Sequence, residues 1–207
     1  MKKLLAALVV ATATMTGFQA QAAELKDGEQ YITLNQERAA QPEVIEFFSF
    51  YCPHCYSFEM QYKIPAKVKE GLPKGTTFKQ YHVDYLGPQG ENLTRAWALA
   101  MALGVEDKVK TALFDGAQAN AFKSMDDIRQ KFIDNGVTAE QFDGNINSFP
   151  VDALVKKQQN LVEQFHVDKT PSFYVNGKFL VNNEFFENRG SPVSDYIKTV
   201  SELLNKD

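Results

Sequence analysis

Glu46-Phe47-Phe48-Ser49-Phe50-Tyr51-Cys52-Pro53-His54-Cys55-Tyr56 holds the only two cysteines in a chain of 207 residues. The residues before the pair read as a buried strand and those after it as a helix, so Cys52 stands where a helix begins. Unpaired backbone N–H groups and the helix dipole at such a place favour a thiolate over a thiol. Two sulfurs at this spacing can also close a disulfide with each other. The stretch reads as a redox site at a strand-to-helix junction, and that junction sets the fold class as α/β.

Toward the N-terminus, Val44-Ile45-Glu46-Phe47-Phe48 has the form of a central strand, apolar on both faces except at Glu46. Tyr31-Ile32-Thr33-Leu34 is a shorter strand before it. Toward the C-terminus, Pro53 falls in the first helical turn, where its missing N–H is harmless. That helix is predicted to run on through Phe58, Glu59 and Met60 and to kink or pause near Pro65. Phe78 to Val83 is a third strand. From about Glu91 to Phe165 the pattern is helical throughout. Leu93, Ala96, Trp97, Ala100 and Met101 give one apolar stripe, stopped at Gly104. A second helix covers about Val105 to Phe114, and a fifth runs from Val151 to Phe165. Between them, Ser124 with Asp127 and Thr138 with Gln141 carry the spacing that caps helix N-termini. Strand character then returns, and Asn176-Gly177 between Ser172-Phe173-Tyr174-Val175 and Lys178-Phe179-Leu180-Val181 is a hairpin signal. Ser191-Pro192 leads into a last helix with Tyr196, Ile197, Val200, Leu203 and Leu204 turned inward. The order describes an α/β unit, residues 23–84 and 160–207, interrupted by an all-helical block at 85–159.

Residues 1–22 read as a signal peptide. Lys2-Lys3 is a basic start, Leu4 to Val10 an apolar core, and Ala20-Gln21-Ala22 a small-x-small cleavage site, placing cleavage before Ala23. Thr12, Thr14 and Thr16 interrupt the apolar run too early for a membrane anchor. Removing Lys2 and Lys3 takes the formal charge from -4 to -6. An acidic chain with no basic cluster argues against nucleic acid as a partner. With 44% hydrophobic residues and sixteen Phe, the remaining ~185 residues have ample core.

Export changes how the cysteines are read. A lone pair in an oxidising compartment is commonly structural, but so short a loop removes little chain entropy. The pair reads as a reagent rather than a brace. Cys52 is the attacked sulfur, Cys55, one turn further in, stays a thiol, and His54 between them adds positive charge as an imidazolium. Zinc is the sharper competitor, but it takes four ligands, and His82 and His166 offer no second pair at a matching spacing. Thr170-Pro171 opens the hairpin, where a cis-proline beside the disulfide would leave the backbone of residue 170 free for an extended substrate. Glu46, an acid in an apolar strand, and Glu59 on the helix are candidate proton shuttles for Cys55. A half-exposed strand face is the plainer alternative for the two acids.

Phe47 to Tyr56, Tyr81-His82-Val83, Trp97 to Val109 and Phe173 to Lys178 together resemble the DsbA family of periplasmic disulfide-forming oxidoreductases. The resemblance spans nearly all of the chain after residue 22. It implies a thioredoxin fold with an inserted helical domain and donation of a disulfide to reduced exported polypeptides. It also implies reoxidation by a DsbB-like membrane protein that passes electrons to quinone. An acidic attacking thiol is a known trait of this family, and that direction is carried over with the resemblance. Two residues depart from the family pattern. Gln80 stands where the family oxidant commonly has Lys, which would leave Glu46 and Glu59 without a cationic partner. Thr170 stands where Val is usual and resembles the isomerase and reductase branch.

The resulting expectation is a monomeric thiol:disulfide oxidase with no cofactor beyond its Cys52–Cys55 disulfide. A disulfide isomerase or reductase is the rival among enzymes. Such isomerases usually carry an N-terminal dimerisation domain, and the residues before the first strand are too few for one. A polypeptide-binding chaperone with incidental cysteines is the rival from another class, and a metal carrier the weakest.

Overall fold

The computed structural model describes residues 24–190 and 193–206; the signal-peptide reading and Ser191-Pro192 lie outside them. Among the described residues, five strands form one mixed sheet: β1 (Tyr31–Thr33), β2 (Glu43–Phe48), β3 (Thr77–His82), β4 (Ser172–Val175) and β5 (Phe179–Val181), in the order β1-β5-β4-β2-β3. β2 runs parallel to β3 and antiparallel to β4. A parallel neighbour needs a crossover. Here it is α1 (Pro53–Tyr56), a π-helical turn (Ser57–Gln61) and α2 (Ile64–Gly71). Val44 to Phe48 are all buried, as a strand covered by helices on both faces must be.

The helix after Cys52 differs from the expected one. It widens into the π turn and breaks at Lys63, which takes the left-handed conformation with φ 53°, so that Pro65 sits in the first turn of α2 instead of kinking a continuous helix. Proline is tolerated there because the first N–H groups of a helix have no intrahelical acceptor.

Between β3 and β4 lie five helices: α3 (Gly90–Leu103), α4 (Glu106–Gln118), α5 (Met125–Asp134), α6 (Ala139–Asn145) and α7 (Phe149–Gln164). Reciprocal caps are present at Ser124/Asp127 and Thr138/Gln141. α4 runs one turn beyond the expected Phe114. α7 passes without a break through position 159, where the insertion was expected to end. The helical block is bolted to the sheet by polar contacts from buried and partly buried side chains. Trp97 Nε1 donates to the Gln80 carbonyl at 2.8 Å, and Gln158 accepts from the His82 N–H at 2.9 Å and donates to the Thr94 carbonyl at 3.1 Å. Gln118 Nε2 donates to the carbonyl of Phe50, just before the cysteines, at 2.8 Å. A buried carbonyl left without such a donor is costly.

The β4–β5 connection is Asn176-Gly177-Lys178, one residue longer than expected because Val175 pairs with Phe179; Asn176 at φ 52° and Gly177 at φ 67° supply the positive φ angles that such a tight turn needs. After β5, α8 (Asn183–Arg189) precedes α9 (Val193–Leu204), whose Tyr196, Val200, Leu203 and Leu204 are buried. The sequence pattern had not foreseen α8, which buries only Phe186. Two cores flank the sheet. One packs Val44, Phe173 and Val175 against α2 and α9; the other packs Ile45, Phe47 and Tyr174 against Phe165 and Val167. A third fills the helical block and reaches Phe48, Phe50 and both cysteines. The architecture is the expected one, an α/β unit carrying a helical insertion, and the cysteines lie where the two meet.

Candidate active site

Cys52 is the N-cap of α1, with extended backbone (φ -82°, ψ 116°), and Pro53 follows as the first helical residue. Its sulfur accepts the Cys55 N–H at 3.2 Å. In this state both cysteines are free thiols. The Cys52 thiol is pulled down to about 6, first by hydrogen bonding from Cys55, against burial, and then by Thr170 and the backbone N–H groups of Cys55 and His54. His54 thus reaches the sulfur through its main chain, while its ring is exposed. Cys55 is 1% exposed, and burial, reinforced by the neighbouring Cys52 sulfur, drives its thiol far above the ordinary range. One turn of helix therefore separates a sulfur that prefers to be an anion from one that prefers its proton.

The Thr170–Pro171 peptide is cis, and the Thr170 carbonyl faces Cys52 Sγ at 3.3 Å. Beside it a cavity of about 370 Å³ is lined by Ile32, Pro171, Ser172, Tyr174 and Leu180 among others. Ile32 is one of the few exposed large apolar side chains. On the other flank, Tyr51 packs against Gly87, which holds φ 73° where an added Cβ would meet the Tyr51 ring at 2.2 Å. Only glycine admits that approach.

Glu46 is 1% exposed. Burial, with the charge of Glu59 second, pushes its carboxyl up to about 8. Register explains the rest of the cluster, because Glu46 on β2 pairs directly with Gln80 on β3. Gln80 Nε2 donates to Glu46 Oε2 at 2.7 Å and to Glu59 Oε2 at 2.8 Å. Lys110, from α4, donates to Gln80 Oε1 at 2.8 Å and to Glu59 Oε1 at 3.1 Å. The expectation that Gln80 leaves the acids without a cation is therefore corrected. The neutral amide bridges the two carboxylates, and the ammonium comes from the insertion. Lys110 and the cavity-lining Ile32 and Leu180 were missed as site residues. A signal for Lys110 was present in its helical register, three and four residues before the buried Leu113 and Phe114. The structure brings together Cys52, Pro53, His54, Cys55, Thr170 and Pro171 at one end of β2 and β4, and Glu46, bridged to Glu59 by Gln80, feels the charge of Cys52.

Comparison with known proteins agrees with this geometry. A family model described as a DSBA-like thioredoxin domain matches residues 43–189. The thiol:disulfide interchange protein DsbA of Haemophilus influenzae is 60% identical over 206 residues, covering all of both chains. Its Escherichia coli counterpart is 43% identical, again over the full length of both. The structure of a cysteine-to-serine variant of Proteus mirabilis DsbA, with a non-covalently bound peptide PWATCDS, superposes with a TM-score of 0.81 at 44% identity, covering 89% of this chain and 98% of that one. The low-pKa cysteine at the helix start, its buried partner and these full-length likenesses agree: the chain belongs to the DsbA family and is a thiol:disulfide oxidase with a thioredoxin fold.

Proposed function

We propose that the chain donates its Cys52–Cys55 disulfide to reduced polypeptides exported to the periplasm, through a mixed disulfide at Cys52. A substrate thiolate attacks Cys52 Sγ; the Cys52–Cys55 bond breaks and Cys55 leaves, taking a proton from Glu46. A second substrate thiolate then attacks the substrate sulfur of the mixed disulfide. The substrate disulfide forms and Cys52 departs as the thiolate its surroundings favour. Two electrons pass from substrate to enzyme. A stabilised leaving thiolate makes the closed form eager to be opened. The observation that carries this reading is the opposed setting of the two sulfurs within one helical turn.

Thr170 and Pro171 are assigned to substrate docking, with the cavity beside Pro171 taking the apolar side chains of an extended peptide. The peptide bound to the Proteus mirabilis relative, which contains one cysteine, supports that assignment. Glu46 is the proton donor, and Glu59 completes its cluster. Pro53 and His54 shape the loop around Cys52. Reoxidation is assigned to a DsbB-like membrane protein linked to quinone. The chain works as a monomer without a cofactor after cleavage before Ala23, its helical insertion occupying about residues 85–159.

Two variants test the roles. Cys52→Ala abolishes disulfide transfer to a reduced unfolded protein, whereas Cys55→Ala, preloaded as the mixed disulfide of Cys52 with glutathione, is attacked at Cys52 Sγ by the thiolate of a single-cysteine peptide, releases glutathione and accumulates the enzyme–peptide mixed disulfide, seen by mass spectrometry. Accumulation at Cys55 in the Cys52→Ala protein would reverse the assignment. Equilibration with a glutathione series separates the oxidase from a reductase: the protein stays reduced until the buffer is strongly oxidising.

A further inference from the structure

Lys110 belongs to the insertion, yet its ammonium ends inside the α/β unit. It is 9% exposed, and its partners are Gln80 Oε1, Glu59 Oε1 and, at 5.8 Å, the face of Trp97. One fully buried carboxyl, Glu46, one partly buried carboxyl, Glu59, one ammonium and one neutral amide form a single network. If both acids are ionised the network carries a net negative charge with Glu46 held out of water, a costly state. One proton is retained, and the geometry points to its place. The ammonium bonds Glu59 directly but reaches Glu46 only through the amide of Gln80. We infer that Lys110 is a positioning residue for proton transfer at Cys55. Its ion pair fixes Glu59 as the charged member, and the exchangeable proton is left on Glu46, the acid that feels the charge of Cys52. This rests on the assignment of Glu46 as proton donor.

The groups that face Glu46 from the elements packed around it are Glu59 from the π turn, Gln80 from β3, Lys110 from α4, Cys52 at the start of α1 and the Tyr196 phenol from α9. Lys110 is the sole cation among these named groups. A cavity of about 660 Å³ lined by Glu59, Gln80, Trp97 and Lys110 continues to the exposed Lys69 and Glu70. It gives the network a route to solvent protons. The elevated carboxyl of Glu46 agrees with a proton held there at neutral pH.

The consequence is sharpest in the reverse direction. When oxidised glutathione reoxidises the reduced protein, the Cys52 thiolate first attacks it, forming a mixed disulfide and releasing one glutathione thiolate. Cys55 then passes its proton to Glu46, attacks Cys52 Sγ and expels the second glutathione. The second step needs Glu46 ionised. Removing the nearby cation raises the carboxyl midpoint by about one pH unit, the size of shift an adjacent opposite charge gives. At pH 7 the ionised fraction then falls roughly tenfold.

The test follows single-turnover reoxidation of the full mature protein by excess oxidised glutathione, with acid quenching and thiol trapping, across pH. Infrared difference spectra of the protonated carboxyl stretch accompany it. The variants are Lys110→Met, Lys110→Arg, Glu46→Gln and Lys110→Met combined with Gln80→Lys. Lys110→Met is expected to move the rate profile and the infrared midpoint upward together by about one pH unit, with thermal melting verifying the fold. Lys110→Arg, and the double variant that returns an ammonium from β3, restore both toward the parent. If Glu46→Gln leaves the rate profile unchanged, the donor assignment falls and this inference with it. If Glu46→Gln removes the profile while Lys110→Met leaves it in place, the donor assignment stands and the role of Lys110 is overturned.

Discussion

Replacing Glu46 by Gln should make the reduced protein more stable while impairing it as an enzyme. In the fold the carboxyl titrates at about 8, against 4.5 for the ordinary side chain. Between those values the folded chain holds a proton that the unfolded chain has released. Stability attributable to Glu46 therefore falls as pH rises, by about 1.4 kcal/mol per pH unit, from near pH 4.5 until the shift is exhausted near pH 8. Integrated to pH 7 the penalty is roughly 3 kcal/mol. Sharing of charge with Glu59 and Lys110 widens the range to about 2–4 kcal/mol. Glutamine keeps an oxygen to accept the Gln80 amide but carries no titratable proton, so the penalty disappears. Urea unfolding of the reduced parent and the Glu46→Gln variant between pH 4.5 and 8 measures it. The two curves should nearly coincide at the acid end, with the variant gaining steadily thereafter. A difference that stays flat with pH, or a variant less stable than the parent at pH 7, would refute the argument.

Other substitutions probe the surroundings of the sulfurs. Thr170→Val removes a hydrogen-bonding group that lowers Cys52, and thiolate absorbance should place the sulfur's midpoint higher by less than about one pH unit. Gly87→Ala forces a Cβ into the Tyr51 ring at a backbone angle alanine resists. The expected loss is about 2–3 kcal/mol in denaturant unfolding, and an unchanged midpoint would show that Tyr51 can move aside.

Local chemistry made much of the architecture legible. Asn176-Gly177 can do little but turn a hairpin. Ser124 with Asp127, and Thr138 with Gln141, mark helix starts by side-chain reach alone, and a cysteine pair at a strand-to-helix junction announces redox chemistry. What the sequence hid was long-range. Gln80 reads as the loss of a cation along the chain, because its replacement stands thirty residues away on another element. That lysine occupies an inward position on α4, so the pattern held a polar residue out of place, but nothing local named its partner. α8 escaped because seven residues with one buried side chain leave little periodicity. The π turn and the left-handed Lys63 follow from how the chain must bend over β2 and β3, which no short window contains.

The central claim is that Cys52 rests as a thiolate near neutrality. Titrating the ultraviolet absorbance of the thiolate in the reduced protein, with a Cys52→Ser variant as the blank, measures this directly. A midpoint near 6 is predicted, with no second thiolate appearing below pH 9 because Cys55 keeps its proton. A midpoint at the ~8.5 of a free cysteine, or two sulfurs ionising together, would contradict the account.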